Sequence, residues 1–196
     1  MSSPQPAPEH RLAFFRSFLK RPKEVGSVIP SSRFLERRIV RRAHLERARV
    51  VVELGPGTGG TTRAVLQALQ PDAKLLAIEI NPHFVSLLRA HLQDPRFTVH
   101  DGSATEIPEA LEAHDLPAPD VILSGIPFST MPRQLGLDIL TSARDALAPG
   151  GRFVAYQFRD RVETLGRQVF GHGSSQLELR NMPPMRVYCW QKGEAR

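Results

Sequence analysis

A strand that ends abruptly on three closely spaced glycines constrains this chain more than any other feature. Val50-Val51-Val52-Glu53-Leu54 runs straight into Gly55-Pro56-Gly57-Thr58-Gly59. Three β-branched residues and a leucine read as a strand buried on both faces, as in parallel sheets. After Gly60-Thr61-Thr62, apolar Ala64, Val65, Ala68 and Leu69 recur at helical spacing. The segment is therefore a strand, a tight turn and a helix start. Glycine lets the backbone pass close to a ligand, and a helix N-terminus offers unpaired N–H groups. In open α/β sheets such a turn, at the carboxyl end of a strand, is where nucleotide-like ligands bind. The spacing is G-x-G-x-G, without the third glycine of the dinucleotide fingerprint. An ordinary strand-to-helix turn competes with a ligand loop.

The rest of the chain repeats that alternation. Lys74–Ile80 reads as a second parallel strand whose acid, Glu79, stands 20 residues beyond Gly59. A carboxylate there can accept both hydroxyls of a ribose. Asn81-Pro82 starts a helix over Pro82–Leu92, and Phe97–Asp101 is a third strand entering Gly102-Ser103-Ala104. Asp101 can take an adenine amino group there, although Asp-Gly is also a plain turn signal. Asp120–Ser124 is the fourth strand, ending in Gly125-Ile126-Pro127-Phe128. A helix over Arg133–Leu147, the turn Pro149-Gly150-Gly151 and a fifth strand Phe153–Phe158 follow. Gln176–Leu179 and Val187–Trp190 form a terminal hairpin around Asn181-Met182-Pro183-Pro184. Alternating β and α over 196 residues predicts one α/β domain with a proper core.

The first quarter differs in kind. Residues 1–50 carry twelve Lys and Arg against four acids, whereas the remainder is close to neutral. A basic segment of this sort suits an anionic partner, a membrane surface or a nucleic acid. Residues 1–8 read as a disordered lead-in. Glu9–Lys20 reads as an amphipathic helix with Leu12, Phe15 and Leu19 on one face, widened by Phe14 and Phe18, and Arg16 and Lys20 opposite. It suits either a membrane interface or a cap on the sheet. A helix over Arg33–Arg47 buries Leu35, Ile39 and Ala43 and carries Arg37, Arg38, Arg41 and Arg42 elsewhere. Its i, i+4 like-charge pairs cost stability unless an anion relieves them, so phosphate contact competes with a plain solvated face. No apolar run approaches the ~20 residues that span a bilayer. The single Cys189 excludes an internal disulfide and sits in an apolar, strand-like run, so it packs as a core residue in a reducing compartment. The seven histidines never reach ligand spacing, and no metal is expected.

Together these motifs resemble the class I S-adenosylmethionine-dependent methyltransferases. The resemblance rests on Glu53-x-Gly55-x-Gly57-x-Gly59, Glu79, Asp101-Gly102-Ser103-Ala104 and Pro149-Gly150-Gly151, and covers residues ~48–190. It implies a Rossmann-like fold, a seven-stranded, mostly parallel sheet with an antiparallel last strand, preceded here by helices within 9–47. Residues 48–196 are then the cofactor-binding domain. A narrower resemblance, to the bacterial phospholipid N-methyltransferases, rests on Phe14-Phe15, Phe18 and Pro22, on Val25-Gly26-Ser27-Val28-Ile29-Pro30-Ser31-Ser32, on Ser124-Gly125-Ile126-Pro127-Phe128 with Met131-Pro132, and on Asn181-x-Pro183-Pro184. The same pieces partly resemble the ribosomal RNA adenine dimethyltransferases. There the loop after strand four reads Asn-Leu-Pro-Tyr or similar, and here Ser124 and Phe128 replace the amide and the tyrosine.

The resemblance implies S-adenosylmethionine as cofactor and S-adenosylhomocysteine as product. Gly55, Gly57 and Gly59 would lie against its methionine portion with Glu53 facing the ammonium. Glu79 with Ile80 would meet the ribose, and Asp101, Gly102, Ser103 and Ala104 the adenine. The Ser27–Ser32 loop would close over the site, with Ser31, Ser32 and Thr61 among the cofactor-binding residues. Carbonyls of Ser124 and Gly125 would orient an acceptor amine, and Phe128 and Tyr156 would favour a methylated, cationic product by cation–π contact. The implied acceptor is phosphatidylethanolamine, methylated towards phosphatidylcholine, with RNA adenine as the alternative. The chain is expected to work as a monomer in the cytoplasm, on the inner face of the cell membrane, against anionic lipid.

Overall fold

The computed structural model describes residues 31–193. The lead-in, the Glu9–Lys20 segment with its phenylalanines and the loop up to Pro30 lie outside the described residues. Seven strands form one sheet in the order β3-β2-β1-β4-β5-β7-β6. They are β1 (Val50–Leu54), β2 (Lys74–Glu79), β3 (Phe97–Asp101), β4 (Val121–Ser124), β5 (Arg152–Gln157), β6 (Ser174–Glu178) and β7 (Met185–Gln191). The first five are parallel, and β7 runs antiparallel between β5 and β6.

Helices cover both faces. On one lie α1 (Arg33–Ala43), α2 (Gly60–Ala68) and α3 (Pro82–His91); on the other lie α4 (Ile107–Ala113), α5 (Arg133–Ala146) and α6 (Arg161–Phe170). All of β1 is buried, which is why its sequence is a continuous apolar run rather than an alternating one. β7 does alternate, with Val187 packed towards α1 and Tyr188 and Trp190 towards α6. Cys189 is half-buried on the α1 side with its thiol against the Arg42 carbonyl, 3.8 Å away, so the core expectation holds.

Three expectations need correcting. The first helix ends at Ala43 instead of running to Arg47. His44 takes a left-handed conformation (φ 54°), and a 3-10 turn over Leu45–Arg47 follows. Continuing the α-helix would turn Leu45 about 200° away from Ala43, onto the solvent side. The break instead returns Leu45 to full burial. Second, α4 and α6 arise where the sequence suggested no element. α4 is short with proline in its first turn, and α6 carries Gly166 mid-helix. That glycine is required by packing, since a Cβ would lie 2.4 Å from the Trp190 ring.

Third, the arginine stripe of α1 divides. Arg38 donates from Nε and Nη2 to Glu178 (2.9 and 2.8 Å) and from Nη1 to Gln176 (2.9 Å). Arg42 donates to Ser174. Two of the four guanidinium groups therefore fasten α1 to β6, and the anion that relieves Arg38 is internal. Arg180 and Arg38 together hold the Glu178 carboxyl at about 2. Arg37 and Arg41 remain exposed, in line with Arg33.

A second fastening lies beside it. The wholly buried Asn181 accepts from the Ser32 N–H (2.8 Å) and donates to the Pro183 carbonyl (2.9 Å). It ties the β6–β7 connection to the start of α1. Asn181→Ala would orphan both groups and is expected to cost about 2 kcal/mol. The test is urea denaturation, where the midpoint should fall with little change in slope. An unmoved midpoint would mean that the amide holds nothing.

Candidate active site

The strand order reverses between β1 and β4, leaving a crevice at the carboxyl edge of the sheet. Register places Leu54 beside Ile78 and Ser124, Glu79 beside Asp101, and Ser124 beside Ala155. Backbone hydrogen bonds carry the ladder one residue past the strand ends. Gly55 donates to Ile78 (3.0 Å), Gly102 to Glu79 (3.1 Å) and Gly125 to Leu54 (3.1 Å). Four loops that are remote in sequence are thereby fixed side by side.

Gly55, Gly57 and Gly59 all have positive φ (66°, 58° and 80°), a region that costs other residues strain. Their reasons differ. A Cβ on Gly55 would meet Ile126 at 3.0 Å, from the loop after β4. A Cβ on Gly59 would lie 2.8 Å from Leu88, so this glycine lets α3 pack close. Gly102 is likewise small for a structural reason, since a Cβ would sit 2.6 Å from the His100 ring.

Glu79 is almost fully buried. Its carboxylate accepts the Gly57 N–H (3.1 Å) on one oxygen and the Asn81 N–H (2.9 Å) on the other. Each oxygen keeps a lone pair for an external donor. Burial pushes its pKa up, and those N–H groups work against the rise.

Glu53 is different. It is 0% exposed, and neither oxygen has a hydrogen-bond partner among the described residues. Burial drives its pKa up to about 7, the neighbouring Thr62 hydroxyl opposes that rise, and Glu79 adds to it. The Thr62 oxygen is also buried without a partner. A buried, unpaired carboxyl beneath a glycine turn favours the neutral acid unless a cation reaches it.

Tyr156 enters from β5. Its hydroxyl faces Gly125 so closely that a Cβ there would lie 2.6 Å away. Burial, then the nearby Glu53, raise its pKa well above the ordinary phenol range, with Thr61 opposing. It stays a neutral hydroxyl. Thr61 meets Ser31 (Oγ1–Oγ 3.1 Å), which brings the segment before α1 onto the glycine turn.

The remaining expected residues fall into two groups. Asp101 is exposed at the end of β3, and Ser103 and Ala104 are buried just beyond it. Ser32, in contrast, caps α1 by accepting from Leu35 N–H (3.3 Å) and gives its own N–H to Asn181. Its hydroxyl proton and one lone pair are left for a ligand. Ile80 is a core side chain in the cluster with Ala104 and Ile107. Ser124 is wholly buried, and its hydroxyl accepts from Ile126 N–H (3.3 Å).

Phe128 requires a correction. It is 0% exposed and packs against α5, where a Cβ on Gly136 would be 3.4 Å from its ring. Among the described residues it presents no face to solvent, so a cation–π role would need the loop after β4 to move. Gln157 was not anticipated. From the end of β5 it donates to the Ile126 carbonyl (2.7 Å) and pins the loop after β4. A polar residue closing an apolar strand was the available signal. A shallow cavity of about 440 Å³ beside Arg89, Asp94 and Phe97 lies at the amino end of β3, away from all these groups.

Comparison with known proteins agrees with this arrangement. Residues 52–153 match the methyltransferase domain family. The chain is 32% identical over 177 residues to the ornithine lipid N-methyltransferase of Singulisphaera acidiphila, spanning 89% of this chain and 92% of that one. It is 41% identical over 68 residues to the ribosomal RNA small subunit methyltransferase A of Nitrosospira multiformis, 35% of this chain but only 25% of that protein. Among solved structures, the N-methyltransferase NodS of Bradyrhizobium japonicum in complex with S-adenosylhomocysteine superposes with TM-score 0.68 at 13% identity, over 91% of this chain and 99% of NodS. The 1,6-didemethyltoxoflavin-N1-methyltransferase of Burkholderia thailandensis superposes with TM-score 0.67 at 20% identity, over 99% and 94%.

Proposed function

Since the chain belongs to the class I S-adenosylmethionine-dependent methyltransferases, we propose that its acceptor is the primary amine of a membrane lipid. S-Adenosylmethionine supplies an electrophilic methyl group on a sulfonium. The site residues fit that cofactor: an orphaned buried carboxyl at Glu53, a positive-φ glycine cradle, and a strand-end acid with free lone pairs. Glu53 would hold the ammonium, Glu79 the ribose hydroxyls, and Asp101 with Ser103 the adenine.

Methyl transfer is an in-line displacement, so the chain's task is to place the amine and strip it of water. An ammonium must first lose its proton to water, and desolvation on entering the crevice lowers its pKa. The neutral Tyr156 hydroxyl beside Gly125 can accept from the amine and hold it in line. Its ring takes over the cation–π role that the buried Phe128 cannot fill. No side chain is required as a dedicated base.

The observation that carries the reading is the end-to-end match to a lipid N-methyltransferase. The committed state of Ser124 supports it, because the end of β4 offers no side-chain amide to grip an adenine amino group. Phosphatidylethanolamine and ornithine lipid present the same chemistry, a primary ammonium beside an anionic group. The RNA reading is favoured by several matches to ribosomal RNA methyltransferases, each spanning less than half of this chain. The assay supplies labelled cofactor with vesicles of either lipid or with small-subunit ribosomal RNA. Label is expected in lipid, and the labelled lipid names the headgroup. Label in RNA with none in either lipid would reverse the choice.

A further inference from the structure

We infer that the β6–β7 connection and the end of β5 form the surface that seats this enzyme on an anionic membrane. The inference rests on the lipid-amine reading, and it assigns the membrane contact to residues outside the cofactor crevice. Among the described residues the large apolar side chains left exposed are Phe158, Leu177, Leu179 and Met182, at 58, 43, 69 and 86%. They are not scattered. Register places Gln157 and Leu177 on either side of Arg186, so Phe158 and Leu179 follow together at one end of the sheet.

That end is the one carrying the crevice. β6 runs parallel to β5, because each is antiparallel to β7. Ala155 and Ser175 share the row that also holds Tyr188, level with Ser124. Phe158 and Leu179 lie three and four residues further along, roughly 10–13 Å beyond that row at the usual rise per residue. Met182, the most exposed of the four, is further still along the connection. The apolar tip therefore projects past the mouth of the site, on the side from which a lipid headgroup would have to enter.

Charge identifies the occupant. Arg180, between Leu179 and Met182, lies over the Phe34 ring at 4.1 Å, with Arg33 over the same ring at 5.0 Å. Arg159 is exposed directly after Phe158, and Arg33 and Arg37 continue the row along α1. Of the nearby acids, Glu178 is buried and neutralised by Arg38 and Arg180, leaving Asp160 beside Arg159 and Glu36 between Arg33 and Arg37, fewer than the guanidinium groups around them. Exposed apolar side chains flanked by guanidinium groups match the acyl boundary and phosphates of an anionic bilayer. Asn181 and Glu178 anchor the connection to α1, so the tip is held rigidly relative to the crevice.

The test uses the full chain and two variants. A Met182→Trp reporter places an indole at the tip, while the native Trp190 is buried and silent to lipid. A Phe158→Ser/Leu179→Ser/Met182→Ser variant removes the apolar contacts from exposed positions, so folding and S-adenosylhomocysteine binding should be unchanged. With vesicles containing phosphatidylglycerol, the reporter emission should move to shorter wavelength. It should stay put with pure phosphatidylcholine. The triple variant should lose at least about tenfold in vesicle partition, as expected for withdrawing buried apolar side chains.

Vesicle binding by the wild type with an unshifted reporter would overturn the proposal, assigning contact to another surface such as residues 1–30. Undiminished binding by the triple variant would do the same. So would a fall in lipid-free sedimentation mass on mutation, which would make the tip a contact between two copies. Failure to bind vesicles while still methylating detergent-dispersed lipid amine would reject the seating surface and leave the substrate reading intact. A shifted reporter without label in any lipid amine would support the surface and reject that substrate reading.

Discussion

Glu79→Ala should weaken S-adenosylmethionine binding by roughly tenfold to a hundredfold or more. Losing one charge-assisted hydrogen bond costs about 1.5–3 kcal/mol, and the proposed ribose contact uses two. The structure adds a reason for the upper end. Glu79 also accepts the Gly57 N–H, so its carboxylate holds the glycine turn in its cradle as well as facing the ligand. Without it, Gly57 and Asn81 each lose a partner. Glu79→Gln would keep the volume but turn an NH2 towards one of two N–H donors, and it should recover little. Calorimetry reads the affinity, while thermal melts without ligand isolate the share due to a loosened turn. Wild-type affinity in a folded Glu79→Ala variant would remove this residue from the site.

The second large effect is a pH dependence set by Glu53. Its pKa in the folded chain is about 7, raised by burial from 4.5. Below pH 4.5 both folded and unfolded chains carry the proton, and the group has no effect. Between 4.5 and 7 the unfolded chain releases it while the folded chain keeps it, so stability declines as pH rises. Above 7 the decline levels off. Integrated over that window the loss is about 3 kcal/mol. Glu53→Gln should therefore be more stable than wild type at pH 8, by a similar amount, and nearly equal at pH 4. Equal stabilities at pH 8 would contradict the dry, unpaired environment of this carboxyl.

The same group should make cofactor binding proton-linked. Near pH 6 the free protein holds Glu53 as the neutral acid, and a bound ammonium favours the carboxylate. Binding should then release up to about one proton, visible as calorimetric enthalpies that vary with the ionisation enthalpy of the buffer. Glu53→Gln should abolish that release as well as weakening affinity. Loss of affinity with proton release intact would place the linkage on another group.

The catalytic framework was legible in the linear sequence because its signals are local. Buried parallel strands announce themselves as apolar runs, and a strand-to-helix turn needs glycine where φ is positive. Strand-end acids follow the strands at a fixed count. Hence β1 to β5, the turn at Gly55–Gly59, Glu79 and Asp101 could all be placed in advance, and the family resemblance added a seven-stranded sheet with an antiparallel last strand. What only the tertiary structure decided depends on partners far away in sequence. Arg38 read as part of a stripe either solvated or facing phosphate until Glu178, 140 residues on, proved to be its counter-ion. Phe128 read as an aromatic wall of the acceptor pocket until α5 closed over it. Glu53 read as the acid facing the ammonium, but its orphaned burial appears only when β2, β4 and α2 are packed around it. The exposed apolar side chains of the β6–β7 connection lie at the crevice end only because β6 runs parallel to β5 before the chain turns back into antiparallel β7. Local chemistry specifies which elements form and where they end. Desolvation, counter-ions and the shared edge of the sheet are properties of neighbours, and those arise only when the chain is folded.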